Sequence, residues 1–361
     1  MTKPALAIIG TGMAALACAD GLAQAFDLSL FDKSRGLSGR LSTRRAPHAS
    51  DQIFDYASDY ASDYAFDHGA PFFHADTAAF KNWLQSFEAR GAVTLWTPRH
   101  MRFSDNGARQ LTQDAKPKWV FTPGMSGVGK SLIAARPQWN IHTGCAVDAV
   151  TGVAGAWVLS AGEQRFGPFA HVVFAIPPQQ ALALLPEGAG FGDALTKAQM
   201  LGCHTLMLGY QPDEAPDLDW AFADFDDEVL GLACVNSMKP GREGGFALVL
   251  QTRHDWSQAH IEDDLEMVSA RIKQRFQELT GCSTAASAYD SLHRWRYAST
   301  CQAAATQAQP YLLDDEQGLS AIGDWCSGSG VEQAFLSGAG LAATLSAMQD
   351  GAPTFRPISD S

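Results

Sequence analysis

Gly10-Thr11-Gly12-Met13-Ala14-Ala15 is the first stretch of the chain whose residue types and spacing could do chemistry. The pattern is Gly-x-Gly-x-x-Ala, and the chemistry it serves is phosphate binding. The first glycine permits a tight turn, the second lets the backbone approach a pyrophosphate, and the small Ala15 keeps the following helix close to the strand. Roughly twenty residues later, Asp32 stands where the pattern wants a carboxylate for a ribose hydroxyl. Lys33 and then Ser38-Gly39-Arg40-Leu41 supply a second signal. Here the glycine lets the chain pass close to the pyrophosphate and the arginine neutralises it. Paired with the first signal, this points to FAD rather than NAD. The plainer alternatives are a glycine-rich turn without a ligand and a basic surface loop.

Such residues act together only if particular elements hold them. The charge-free run 5–9 reads as a buried parallel strand, and 28–32 as its neighbour. A helix from Met13 to about Ala25 would offer its N-terminal amides and positive dipole end to phosphates. Further along, Phe80, Trp83, Leu84 and Phe87 have helical spacing over 77–90. Strands are expected at 93–96, 119–122, 141–150, 157–160 and 171–176, the last stopped by Pro177-Pro178. A middle region mixes strands at 203–210 and 246–252 with an amphipathic helix over 261–279. Near the end, a strand at 319–322 leads through Gly323-Asp324-Trp325 to a helix from Val331 to about Met348.

The fold expected is α/β: a Rossmann-type FAD-binding domain with a parallel βαβ sheet and an inserted α+β substrate domain. The FAD-binding domain is assigned to 1–76, 120–180 and 300–350, the substrate domain to 77–119 and 181–299. A length of 361 residues accommodates both.

The net charge of −13 argues against a nucleic-acid partner. Seven scattered cysteines without a C-x-x-C pair suit neither a disulfide framework nor a zinc site, and fit a reducing cytoplasm. No apolar run approaches a membrane span, and the opening run reads as a strand rather than a signal peptide. Asp55, Asp59, Asp63 and Asp67 recur every four residues, a repeat read over 55–66 as a solvated acidic insertion. It lacks the spacing of a calcium loop, and no metal site is expected. Gly124-Met-Ser-Gly-Val-Gly129-Lys130-Ser131 matches the P-loop pattern literally. Pro123 in front of it, the polar run before that and Pro137 soon after favour a plain glycine-rich turn opening a short helix.

His293-Arg294-Trp295-Arg296-Tyr297 offers basic groups for a pyrophosphate and aromatic faces for stacking. Trp295 and Tyr297 as core residues, with the arginines in structural pairs, stand as the equal alternative. Lys239 and Arg242, in a Lys-Pro-Gly-Arg turn, read as surface charge, and His68 as a core histidine.

Motifs spread over most of the length also carry a family likeness. They are Gly10-Thr-Gly12-Met13, Asp32-Lys33, Ser38-Gly39-Arg40-Leu-Ser-Thr43 and Asp67-His-Gly69-Ala70. Phe121-Thr-Pro-Gly124-Met-Ser126, Val172-Val-Phe-Ala175, Asn236-Ser-Met-Lys239-Pro-Gly-Arg242 and Trp256-Ser257 continue it. His293-Arg-Trp-Arg-Tyr297-Ala and Gly323-Asp-Trp325 through Ser337-Gly338 complete it. On these residues the chain resembles the renalase-type flavoproteins, a branch of the amine-oxidase-like FAD superfamily with its amine-oxidase/p-hydroxybenzoate-hydroxylase-like fold.

The resemblance implies non-covalent FAD. It implies that Asp324 meets the ribityl and phosphate groups, and that Val331 and Glu332 at the last helix meet the flavin's pyrimidine edge. Gly69, Ala70 and Val147 join the cofactor set; Phe72, His293, Arg294 and Trp295 form the substrate set. The activity implied is oxidation of misreduced dihydronicotinamides, the 2- and 6-dihydro isomers of NAD(P), with oxygen as acceptor. Such hydride transfer needs no general base, and no catalytic residue is assigned. Departures from the family are Pro71-Phe72 where Gln-Tyr is common, Gln251 where His is frequent, and Ser38 for a glycine. The alternatives are another FAD enzyme, such as an amine oxidase or desaturase, and a non-catalytic flavin-binding protein. An amine oxidase would want an aromatic cage and often a covalent cysteine, and Cys326 lacks the surrounding motif.

Overall fold

The computed structural model describes residues 3–46, 64–113, 116–303, 309–349 and 351. In chain order these form β1 (Ala5–Ile9), α1 (Met13–Leu22), β2 (Asp27–Asp32), β3 (Thr43–Ala46), β4 (Tyr64–Asp67), α2 (Ala78–Glu88), β5 (Val93–Trp96), β6 (His100–Phe103) and β7 (Arg109–Thr112). Then come β8 (Lys118–Phe121), α3 (Gly127–Ala135), β9 (Asn140–Thr143), β10 (Ala149–Val153), β11 (Ala156–Ala161), β12 (Gln164–Phe169), β13 (His171–Phe174), α4 (Pro178–Leu184) and α5 (Gly192–Lys197). The rest are β14 (Gln199–Tyr210), β15 (Phe222–Phe225), β16 (Leu230–Val235), β17 (Phe246–Thr252), α6 (His254–Ala259), α7 (Leu265–Thr280), β18 (Tyr289–Gln302), β19 (Tyr311–Asp314), β20 (Leu319–Ile322) and α8 (Val331–Gln349).

One unit comprises Met1–Gly39, Leu132–Gln199 and Gln302–Ser361. Its main sheet has the order β19-β20-β13-β1-β2-β9. β1 lies inside it, parallel to β2 on one side and β13 on the other. Leu6, Ala7 and Ile8 are wholly buried, which is why the run carries no charge. The chain leaves β1 through α1 to β2 on one side, and β13 arrives later on the other. The carboxyl end of β1 is therefore a switch point, where open parallel sheets bind ligands. α1 is apolar nearly all round because it is buried nearly all round, and α8 packs along it. The single strand expected at 141–150 is instead two: β9 at the edge of this sheet and β10 in a separate antiparallel sheet with β11 and β12.

The other unit comprises Arg40–Ser131 and Met200–Cys301. Its seven-stranded sheet has the order β18-β14-β17-β16-β15-β6-β7. α7 buries Val268, Ile272, Phe276 and Leu279 against Leu206, Leu208, Leu230 and Leu248 of that sheet, the spacing of one helical face. Asp264 caps α7 by accepting bonds from the Glu266 and Met267 amides, which is why it starts at 265 and not at 261. Tyr64 and Phe66 form a second cluster with Ala46, Met207, Ala247 and Val249. Both rings are wholly buried, so the end of the acidic repeat, expected to be solvated, is a core strand. Tyr-x-Phe alternation puts both rings on one face. Residues 55–63 of that repeat lie outside the described residues.

Of the described residues grouped by sequence with the dinucleotide domain, 40–46, 64–76 and 120–131 fall in this second unit, and 181–199 of the expected substrate domain fall in the first. β8, which precedes the P-loop look-alike, pairs antiparallel with β5 in a two-stranded ladder. A P-loop needs a strand-to-helix turn of the P-loop α/β kind, so the plain-turn reading holds. Among the described residues no helix is long and apolar enough to cross a membrane.

Candidate functional site

In the first unit, the turn after β1 is built for an approach from outside. Gly10 has φ +108°, and a side-chain carbon there would sit 2.4 Å from the Ala175 carbonyl oxygen. Its glycine is therefore a folding requirement. Gly12 differs: its φ is −70°, open to any residue, and nothing lies within 4 Å of where a side chain would begin. It caps α1 without a side-chain cap bond, so the helix presents backbone amides beside open space, the arrangement that receives an anion. Met13, Ala14 and Ala15 behind it are buried.

Asp32, at the end of β2, is held beside this turn. Its Oδ2 accepts from the Thr11 amide at 3.1 Å and from the Thr11 hydroxyl; Oδ1 accepts from the Ser34 amide at 2.8 Å. The second sequence signal folds back on the first: the Ser38 amide donates to the Thr11 carbonyl at 3.1 Å. Ser38 is buried at φ +81°, in the left-handed region that glycine enters most easily. Lys33 is exposed, reaching Gln180. At the carboxyl end of β20, on the same edge of the parallel sheet as the turn after β1, Asp324 is buried and accepts from the Gly330 amide at 3.2 Å, ahead of Val331 and Glu332 on α8. Val147 is half-buried between β9 and β10.

The second unit gathers motifs scattered over two hundred residues onto one carboxylate. Asp67 accepts from Thr43 Oγ1 at 2.7 Å and the Met125 amide at 3.0 Å through Oδ1. Oδ2 accepts from Lys239 Nζ at 2.9 Å and Arg242 at 2.6 Å. Side chains of Asp67 and Lys239 are fully buried and that of Arg242 nearly so. Lys239 also donates to Asn236 Oδ1, and Arg242 to the Phe121 carbonyl. Lys239 and Arg242 are thus not surface charge, as their turn suggested; they neutralise a buried acid brought up by β4. Burial alone would raise the Asp67 carboxyl, but the two cations and the Met125 amide hold it well below the ordinary carboxylate range.

Next to Asp67, the segment His68–Ala70 is clamped by backbone contacts. A side-chain carbon at Gly69 would lie 2.0 Å from the Arg40 carbonyl oxygen, to which the Ala70 amide donates at 2.8 Å. Trp295 Nε1 donates to the His68 carbonyl at 2.9 Å, and Gln251 Nε2 to the Gly69 carbonyl at 2.6 Å. The His68 ring meets His293 edge-on at 5.0 Å and Trp295 at 5.2 Å. Its buried Nδ1 has no hydrogen-bond partner. Burial, with His293 and Arg44 nearby, pushes His68 down to about 3; burial and Arg44 push His293 down to about 4. Both rings are neutral at physiological pH.

Strand alternation splits the cluster at 293–297. His293 and Trp295 face His68, whereas Arg294 turns to the Asp263 carbonyl and Glu262, and Arg296 pairs with Glu262. The structural pairing left open for these arginines is the one observed. Arg40 Nη1 donates to the Ala298 carbonyl at 2.9 Å, and Leu41 is buried. Phe72 is half-exposed against Phe222 and Trp96. Sequence reasoning missed Arg44, which donates to Ser291 Oγ at 2.9 Å, and Lys118. Two adjacent arginines after the Gly-Arg motif were the available signal for the first. Cys326 is buried and its thiol pushed up to about 12 by that burial, unlike a reactive thiolate. Among the described residues no group of three His, Cys, Asp or Glu side chains is placed to hold a metal.

Residues 8–87 match the family described as NAD(P)-binding Rossmann-like domain. The whole fold is similar to that of an Exiguobacterium sp. 255-15 protein provisionally assigned as a protoporphyrinogen oxidase, at 10% identity and a TM-score of 0.72, covering 96% of this chain and 99% of that one. It is also similar to wild-type putrescine oxidase bound to putrescine, at 12% identity, a TM-score of 0.67 and the same coverage. At such identities the likeness is one of fold.

Proposed function

We propose that this chain is a FAD-dependent oxidoreductase of renalase type, oxidising misreduced dihydronicotinamide dinucleotides, the 2- and 6-dihydro isomers of NAD(P), at the expense of oxygen. The observation that carries the cofactor is the bare N-terminus of α1, with open space beside Gly12 and Asp32 held next to it. These residues fit a dinucleotide: Gly12 and Met13 amides for the pyrophosphate, and the Asp32 carboxylate for a ribose hydroxyl. Held there, FAD would supply a two-electron acceptor for the substrate's hydride, with oxygen as the final acceptor and hydrogen peroxide as the product.

What the chain's own residues do is bind, orient and exclude water. His68 and His293, kept neutral by burial, and Trp295 offer a ring face without charge for a dihydronicotinamide. Arg44 supplies a cation for its phosphates. Oxidising such a ring leaves an aromatic pyridinium and no proton to remove, so the neutral histidines need not act as bases. A flavin amine oxidase is the second reading, favoured by the likeness to putrescine oxidase. The buried Cys326 thiol gives no support to a covalent flavin.

The test is anaerobic mixing of the FAD-loaded protein with 2-, 4- and 6-dihydro NAD(P), following the visible flavin band. The expected result is rapid bleaching by the 2- and 6-isomers, none by 4-dihydro NADPH alone, and return of colour with oxygen. Absence of bleaching by every isomer would sink the dihydronicotinamide assignment.

A further inference from the structure

Within the second unit, every second residue of β18 faces the same way, so Ser291, His293 and Trp295 stand in a row, about 6.6 Å from one to the next. Each keeps part of its surface open to solvent, and so does Arg44 on β3. Arg44 Nη1 donates to Ser291 Oγ at 2.9 Å, and its charge lies near enough to the rings to depress both His68 and His293. Among the described residues no carboxylate pairs with this guanidinium. Asp67, on the neighbouring β4, is spent on Lys239 and Arg242. The two histidines are neutral and offset none of the charge. A partly desolvated guanidinium bonded to a hydroxyl still has most of its planar N–H fork to offer, the geometry that takes a phosphate. Other cations nearby lie away from this row: Arg294 and Arg296 pair with Glu262 on the opposite face of β18, and alternation turns Arg45 to the other side of β3.

We propose that Arg44, with Ser291 and His293 beside it, is a subsite for one phosphate, and that it selects the mononucleotide half of the substrate. The inference rests on the dihydronicotinamide reading, in which the ring lies against His293 and Trp295. In a nicotinamide nucleotide one ribose separates the ring from its first phosphate, a span that fits the strand step from His293 to Ser291. The phosphate meets the guanidinium in a charge-assisted, bidentate pair, with the Ser291 hydroxyl as a further donor. Past Ser291 the row ends in Tyr289, stacked on Phe66 at 5.3 Å and packed against the second apolar cluster. That end meets an adenylate with apolar rings already engaged in the core. Dihydronicotinamide mononucleotide therefore carries the groups this face recognises, and the adenylate half adds little affinity.

The test is binding rather than turnover: anaerobic titration calorimetry of the full FAD-loaded chain with 4-dihydronicotinamide riboside, its mononucleotide and 4-dihydro NAD, isomers expected not to bleach the flavin. The wild type should bind the mononucleotide at least about tenfold more tightly than the riboside, the size of a hydrogen-bonded charge pair, and the dinucleotide within threefold of the mononucleotide. Arg44→Ala should lose that tenfold for the mononucleotide and leave the riboside unchanged, a split that a merely structural arginine would not produce. Arg44→Met, which keeps the stem, covers the case in which the alanine variant fails to fold and should show the same split. Equal affinity of the wild type for riboside and mononucleotide, no binding of either, or a dinucleotide more than threefold tighter than the mononucleotide would overturn the proposal. So would an equal loss of riboside and mononucleotide affinity in the Arg44 variants. The two readings fail separately. A protein that no 2- or 6-isomer bleaches, yet whose phosphate preference depends on Arg44, loses the oxidase assignment and keeps the subsite; one that is bleached without that preference loses only the subsite.

Discussion

Around Gly12 the available groups are backbone amides beside open space; around Asp67 both carboxylate oxygens are already filled, by Thr43 and Met125 on one and Lys239 and Arg242 on the other. The first arrangement stores binding capacity, because its donors wait for a partner. The second has none to spare and organises the chain instead, fixing His68 and Gly69 next to it. A motif can therefore serve a ligand or serve the fold: the amides beside Gly12 are left for a partner from outside, whereas the Asp67 carboxylate is spent on partners within the chain.

The sharpest way to break this contrast is to remove the acid. Asp67→Asn leaves two buried cations without their counter-charge and should cost about 3–5 kcal/mol, read as a lower urea midpoint. The same group sets an acid limit. Its folded-state carboxyl is depressed, so its contribution is complete above the ordinary 3.8 and is lost as pH falls below it. A stability curve between pH 5 and 2 should be steeper for the wild type than for Asp67→Asn. Equal slopes would mean that the ion cluster contributes nothing.

The histidines sharpen the comparison at milder pH. His68 is pushed down to about 3, and His204 and His293 to about 4, in the second unit; in the first, His171 goes to about 4. Burial is the leading cause for each. Their folded values lie below the ordinary 6.5, so the unfolded chain takes up protons first. Their stabilisation is complete above about pH 6.5 and drains away toward pH 4. With three such groups against one, the second unit should lose more amide protection than the first between pH 7 and pH 5. Replacing His204 by Leu should flatten part of that loss, and an unchanged profile would remove burial of this histidine as its cause.

The smallest effect is expected at Ser38, in the left-handed region. Ser38→Gly relieves the strain while Ser38→Ala keeps it, so the glycine variant should be the more stable of the two by about 1–2 kcal/mol. Equal melting temperatures would place the strain elsewhere.

How much of this was legible in the sequence follows from locality. Gly10 through Asp32 lie within one βαβ unit, and their order, spacing and residue types specify both the fold and the cradle. Asp67 and Arg242 are 175 residues apart. Nothing local tells a buried lysine in a Lys-Pro-Gly-Arg turn from a solvated one, and only the tertiary approach of β4 does so. The repeated Asp-Tyr-Ala-Ser units likewise hid a core strand, because a four-residue period suits helical and extended readings alike. The run at 293–297 looked like one cluster until strand alternation sent its rings and its arginines to opposite faces.

The central claim is that the turn after β1 is kept open for a dinucleotide, and Gly12→Ala with FAD titration tests it most directly. The backbone there is ordinary and the space is empty, so the variant should unfold within about 0.5 kcal/mol of the wild type. The predicted result is a folded protein whose FAD affinity has fallen at least tenfold. A Gly12→Ala protein that binds FAD as tightly as the wild type would contradict the account.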